Sequence, residues 1–179
     1  MKIIPYFLLI ILIGSGVAFF SRGKVQTVEQ DYEYLRIHIV ANSNSYEDQE
    51  VKYAVKNAVV NYLTPYIAEC ENKEDCYSVI NSKVEVLNAV VKNELNNAGF
   101  GYSSSCELTK KEFPTRYYEN VVLQEGEYDC IYIVLGDGLG DNWWCVVYPP
   151  LCFVNKNLQQ EQDIVYQSKI VEIINKFFD

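Results

Sequence analysis

The chain has 179 residues, of which 49% are hydrophobic and 22% charged. That composition is globular and excludes a wholly disordered chain, and the length suits a single domain. With 24 acidic against 15 basic residues the net charge is −9, which argues against binding nucleic acid through its phosphates and against electrostatic docking on anionic lipid.

The N-terminus sets the compartment. Met1 and Lys2 precede an apolar run from Ile3 to Phe20, broken by Pro5, Gly14, Ser15 and Gly16 and followed by Arg22 and Lys24. Residues 1–24 read as a signal peptide or an uncleaved membrane anchor. Gly16 and Ala18 have the small-x-small spacing that a signal peptidase accepts. Either outcome places the body outside the cytoplasm, with membrane contact only through this segment. Residues 25–33 are polar and read as a tether. Residues 34–179 form one extracytoplasmic domain.

Within that domain Leu35, Ile37, Ile39 and Ala41 alternate with Arg36, His38 and Val40, the period of a half-buried strand. Ser45 then caps a helix whose first turn carries Glu47, Asp48 and Glu50, where the helix dipole favours carboxylates. Val51, Val55, Ala58, Val59, Tyr62 and Leu63 form its apolar stripe, and Pro65 perturbs or ends it. A second helix is predicted from Asp75 to Asn97 on Ile80, Val84, Leu87, Val91 and Leu95, stopped by Gly99. The two helices make a hairpin. Strand periods follow at Ser104 to Lys111, Val121 to Leu123, Tyr128 to Leu135 and Trp143 to Tyr148. The third of these is apolar on both faces and suits a central strand. Ile170, Ile173, Ile174 and Phe177 give a terminal helix. The class is α+β: an N-terminal strand, a helical hairpin, a mostly antiparallel sheet and a C-terminal helix.

All six cysteines follow the apolar segment, so an oxidising location permits three disulfides. The spacings favour Cys70 with Cys76 and Cys145 with Cys152, leaving Cys106 with Cys130 to cross-link neighbouring strands. No pair has the C-x-x-C spacing of a zinc site. The loop Gly136 to Asp141 lacks the Lys-Ser/Thr of a phosphate-binding loop and is followed by strand sequence. His38, the one histidine, sits in a strand with no nucleophile motif nearby. No metal or cofactor is expected. Arg36, Asp48, Arg116, Trp143 and Trp144 are the candidates for contact with a partner. Adjacent tryptophans in a strand face opposite ways, so one can fill a core while the other is presented outward.

Four blocks carry a family resemblance. They are Leu35 to Ser45 with Asp48-Gln49, Phe113-Pro114-Thr115-Arg116, Gly126-Glu127-Tyr128, and Gly136-x-Gly138-x-Gly140-x-Asn142-Trp143-Trp144-Cys145-Val146 continuing through Tyr148-Pro149-Pro150-Leu151-Cys152-Phe153. Together with Lys169-Ile170-Val171-Glu172 they resemble the stage II sporulation protein R family. The resemblance implies a non-enzymatic signal made in the forespore and exported to the space between forespore and mother cell. There it would activate a membrane-embedded aspartic protease of the mother-cell side, which processes the precursor of the first mother-cell sigma factor. Cys70, Cys76, Cys106 and Cys130 lie outside the family pattern. A competing expectation is an extracytoplasmic hydrolase acting on cell wall or peptide, resting on His38 and the surplus carboxylates.

Overall fold

The computed structural model describes residues 26–27, 34–118, 121–153 and 170–177. The apolar segment at residues 1–24, and most of the stretch expected as a tether, lie outside the described residues. Among the described residues no helix is long and apolar enough to cross a membrane. The elements run β1 (Gln26–Thr27), β2 (Leu35–Val40), α1 (Tyr46–Ile67), α2 (Lys73–Asn81), α3 (Val84–Asn97), β3 (Ser104–Phe113), β4 (Arg116–Tyr118), β5 (Val121–Leu123), β6 (Gly126–Leu135) and β7 (Asn142–Tyr148). A final helix, α4, covers residues 170–177. The fold is α+β, as the periodicities predict.

Four strands form a mixed sheet in the order β3-β6-β2-β7. β3 with β6 and β2 with β7 are antiparallel, while β2 with β6 is parallel. β2 and β6 therefore occupy the centre, and β2 is covered on both faces. Leu35, Ile37 and Ile39 face the helices in a core with Val55, Val59, Leu63, Ile80, Leu87, Val91, Ile131, Ile133 and Cys145. Ile170 of α4 completes that core. The residues between them on β2 face the other way, toward a second, smaller core of Tyr34, Phe113, Val121, Leu123, Tyr128, Cys130 and Val146. That core lies beneath a three-stranded sheet of order β1-β5-β4. Gln26 and Thr27, expected in a tether, supply its outer strand by parallel pairing with Val121 and Val122.

Helix boundaries follow their caps. The Ser45 side chain accepts from the Asp48 backbone N–H at the start of α1. α1 runs past Pro65 because the proline lies in its last turn, close to where the chain leaves the helix. The single helix expected from Asp75 to Asn97 is two helices. Lys83 N–H donates to the Ile80 carbonyl, and the Ser82 hydroxyl donates to the Val79 carbonyl. These local bonds end α2 and separate it from α3. At the end of α3, Phe100 N–H donates to Leu95 and Gly99 N–H to Asn96. With Gly99 at φ +83° this is the Schellman arrangement that a left-handed glycine permits.

The cysteines divide differently from their spacings. Cys145 and Cys152 form a disulfide, with Cα atoms 6.3 Å apart. Cys70, Cys76, Cys106 and Cys130 are thiols. A Cys106–Cys130 bridge is ruled out by register. Cys106 lies opposite Ile133 and Cys130 opposite Thr109, an odd offset, so the two thiols point to opposite faces of the sheet. Cys70 and Cys76 do meet, through a hydrogen bond between their side chains that, with burial, pushes the Cys76 thiol well up. They are not bridged. Cys106 and Cys130 are each pushed up to about 12, chiefly by burial.

Two expectations follow. Alkylation of the unfolded, unreduced chain labels four cysteines, and all six only after reduction, read by mass spectrometry of the labelled peptides. Replacing Cys152 with Ala lowers the free energy of unfolding by about 2–4 kcal/mol in a urea titration, because the bridge closes a short loop in the unfolded chain.

Candidate functional site

The five residues singled out from the sequence fall in three places. Asp48 belongs to a polar knot at one end of the sheet, where the turn after β2 meets the loop between β6 and β7. Its carboxylate accepts from the Asn42 side-chain amide at 2.8 Å, from the Ser43 hydroxyl, and from the Tyr102 hydroxyl at 2.9 Å. Asn42 accepts in turn from the Asp137 N–H, and Asn44 from the Asp141 N–H. Lys52, also buried, donates to the Gln49 side chain at 2.6 Å and to the Asp141 carbonyl at 3.1 Å.

The glycines of that loop are required by proximity. A Cβ at Gly140 would stand 2.2 Å from the Ser43 carbonyl oxygen, and one at Gly136 would stand 2.0 Å from the Asn42 Oδ1. The Gly-x-Gly-x-Gly spacing therefore serves close packing of two loops. Asp48 is 5% exposed and its oxygens are engaged within the fold. It positions the turn rather than presenting a charge to a partner.

Burial raises the Asp48 pKa, but hydrogen bonds from Ser43, Asn42, Tyr102 and Ser45 outweigh it and hold the group below its ordinary 3.8. A carboxylate depressed in the folded state stabilises the fold above the unfolded pKa, and that contribution is lost as pH falls through the folded value. Replacing Asp48 with Ala removes the acceptor from three partly buried neutral donors and is expected to cost about 2–3 kcal/mol. Asp48→Asn loses less stability than the native chain as pH falls below about 4, measured by urea unfolding across that range.

Trp143 and Trp144 separate across the sheet. Trp143 pairs with Ile39 on the helical side, packed against the main core, with the Lys56 ammonium 5.9 Å from its ring. Trp144 pairs with His38 on the opposite side. There the structure brings it together with Arg36 and Arg116, the other two candidates.

This second face is built of cations and rings. Arg36 is completely buried, since the alternation of β2 turns it under the small sheet. Its Nη2 donates to the Tyr118 hydroxyl at 2.8 Å. Its guanidinium carbon lies 4.0 Å from the Phe113 ring centroid and 4.8 Å from that of Tyr128. Arg116, two residues before Tyr118 on β4, stacks over Trp144 at 3.9 Å. Trp144 stacks on His38 with ring centroids 5.3 Å apart and planes at 27°. Lys111 lies 4.2 Å from the Tyr132 ring, and Tyr132 also touches His38.

Within this group Arg36 Nε and Nη1, Arg116 Nε and Trp144 Nε1 are shielded from solvent and lack a hydrogen-bond partner. The ion pairs among the described residues are Lys73 with Asp129 and Lys110 with Glu127, so no carboxylate faces either arginine at bonding distance. Burial pulls the Arg36 pKa down, partly opposed by Tyr118 and Tyr128, with Arg116 adding a further downward push. The group remains a cation. Phe113, Tyr118 and Tyr128 were not singled out from the sequence. Phe113 and Tyr128 lie in two of the resemblance blocks and Tyr118 in an aromatic-rich stretch, but neither signal reveals that a second sheet folds over β2.

His38 Nε2 lies 2.7 Å from the Asn142 side-chain oxygen, so Nε2 donates to it. Its Nδ1 has no partner. No acid or hydroxyl adjoins His38 by hydrogen bond among the described residues, so its setting supplies no orienting group for a general base. A cleft of about 720 Å³ lies elsewhere, lined by Glu71, Lys73, Tyr148, Ile173 and Phe177 among others. Among the described residues no cluster of His, Cys, Asp and Glu could hold a metal ion. Burial lowers the His38 pKa, against the Asn142 bond and with Lys111 and Arg36 adding to the shift. Because the folded value is depressed, His38 favours the fold fully above about pH 6.5 and progressively less as pH falls below it. As the only histidine, its proton resonances are expected to titrate with a midpoint below 6.5 by NMR.

The family model described as Stage II sporulation protein R matches residues 31–158. The chain is 35% identical over 158 residues to the stage II sporulation protein R of Bacillus subtilis (strain 168), covering 86% of this chain and 70% of that protein. No solved structure matches. The matched region contains both the polar knot and the arginine–aromatic face.

Proposed function

We propose, from the premise that this chain belongs to the stage II sporulation protein R family, that it is an exported, non-enzymatic signal. In this reading it is made in the forespore and acts in the space between forespore and mother cell. It activates a membrane-embedded aspartic protease of the mother-cell side, and that protease processes the sigma-factor precursor. The observation that carries the reading is the family match, which spans nearly all of the body. The apolar segment before the domain is the kind of sequence that export requires.

The arginine–aromatic face is compatible with a binding role. Tryptophan, tyrosine and arginine dominate the energetics of protein interfaces, and here they converge on one side of the sheet. A protein signal acts by binding the active state of its receptor more tightly than the inactive one. It needs a preorganised surface rather than a catalytic set. The convergence of Arg36, Arg116 and Trp144 on one side of the sheet supports this reading.

The test is an immunoblot of the mother-cell sigma factor in sporulating cells of the native host. Deletion of this gene is expected to leave the precursor unprocessed, and a copy exported from the forespore is expected to restore processing. Normal processing in the deletion would overturn the proposal.

A further inference from the structure

We propose that Arg36, Arg116 and Trp144, which carry shielded and unpartnered donors on one face of the sheet, mark a slot that opens to take an aspartate or glutamate side chain of a protein partner. That a partner supplies the carboxylate rests on the signalling reading above; that the slot takes a carboxylate stands on the geometry.

Arg36 is 0% exposed, yet its Nε and Nη1 have no acceptor, and Arg116 Nε and Trp144 Nε1 share that deficit. Four shielded donors on two guanidinium groups and an indole match a ligand that only accepts hydrogen bonds and carries negative charge. A chain with nine more acidic than basic groups (24 against 15) has carboxylates to spare. Even so, none of the described ones pairs with either arginine. Glu107 shares this face of the sheet, opposite Tyr132, and forms no ion pair with them.

The walls of the slot select among anions. Phe113, Tyr118, Tyr128 and Trp144 surround the guanidinium groups. These rings offer apolar contact to the methylenes and backbone flanking a peptide carboxylate, which an inorganic anion cannot use. Arg116 is half-buried and sits on the three-residue edge strand β4. Swinging its side chain off Trp144 opens the slot without disturbing the main core.

The probe is a capped tripeptide, acetyl-Leu-Glu-Leu-amide, titrated into the full chain in detergent carrying Trp143→Phe, so that Trp144 is the sole tryptophan reporter. A saturable change in Trp144 fluorescence is expected. The Gln counterpart of the peptide should bind at least about tenfold more weakly, and so should Arg116→Gln toward the Glu peptide. Arg116→Gln leaves the main core intact, and its circular dichroism should match that of the parent. Equal binding of the Gln peptide, saturation by sodium sulfate at the same concentration, or no saturable response would overturn the slot.

In cells, Arg116→Gln exported at the native level should leave sigma precursor unprocessed. Normal processing by this variant, where the deletion is blocked, overturns the slot and leaves the signalling reading standing. Normal processing in the deletion itself overturns the signalling reading, while peptide binding in vitro still decides the chemistry of the slot.

Discussion

The placement of β2 between β6 and β7, covered on both faces, is the constraint on which the rest of the structure depends. A strand has period two, so two covers demand two different sets of residues. Leu35, Ile37 and Ile39 satisfy the helical side with plain aliphatic packing. Arg36 and His38 are thereby committed to the other side, beneath a sheet of strands only two or three residues long. The small sheet brings Tyr118 and Arg116 over them, and the antiparallel pairing of β7 brings Trp144 beside His38. The arginine–aromatic face is a direct product of strand alternation and register.

Burying Arg36 is unfavourable by the standards of protein interiors. Removing a guanidinium from water without a paired carboxylate carries a penalty of several kcal/mol. Two ring faces offset part of it, at about 1–2 kcal/mol each when desolvated, and the Tyr118 hydroxyl offsets about 1.5–3 more. An aliphatic residue at this position would fill the space with no penalty of that kind. The cation at the centre of the small core is thus held by rings and a hydroxyl whose contributions are of the same order as its burial penalty, while its Nε and Nη1 are left without an acceptor.

Much of the architecture was legible because it rests on local signals. Ser45 and Asp48 mark the start of α1, Gly99 the end of α3, and the two-sided apolar pattern of Tyr128 to Leu135 a central strand. The break at Ser82–Lys83 was not legible, since Ile80, Val84 and Leu87 keep a helical period across it while local hydrogen bonds end the first helix. The small sheet was missed because its strands are too short to show a period. Register was invisible too. Once β3 and β6 pair, Cys106 and Cys130 cannot meet, although their presence on neighbouring strands was correctly anticipated. The candidate site was legible in composition only. Arg36, Arg116 and Trp144 stood out as residue types, but nothing in the order of the chain says that they converge or that Asp48 and Trp143 do not join them.

The two polar features of the fold are opposites in a way that separates structure from function. In the knot around Asp48, the carboxylate meets Asn42, Ser43 and Tyr102, and the loop glycines allow the backbone of Ser43 to close against Gly140. A network satisfied in this way rigidifies the turn and has no capacity left for a ligand. Around Arg36 the inventory is unbalanced, with donors in excess and no carboxylate paired with it among the described residues. Both features are buried, charged and adjoin β2, so neither burial nor charge distinguishes them. What distinguishes them is whether every donor has an acceptor. By that criterion the sequence block from Leu35 to Asp48 contains two separate features: a satisfied knot that closes the domain at the end of β2, and, at Arg36, a buried cation with unmet donors.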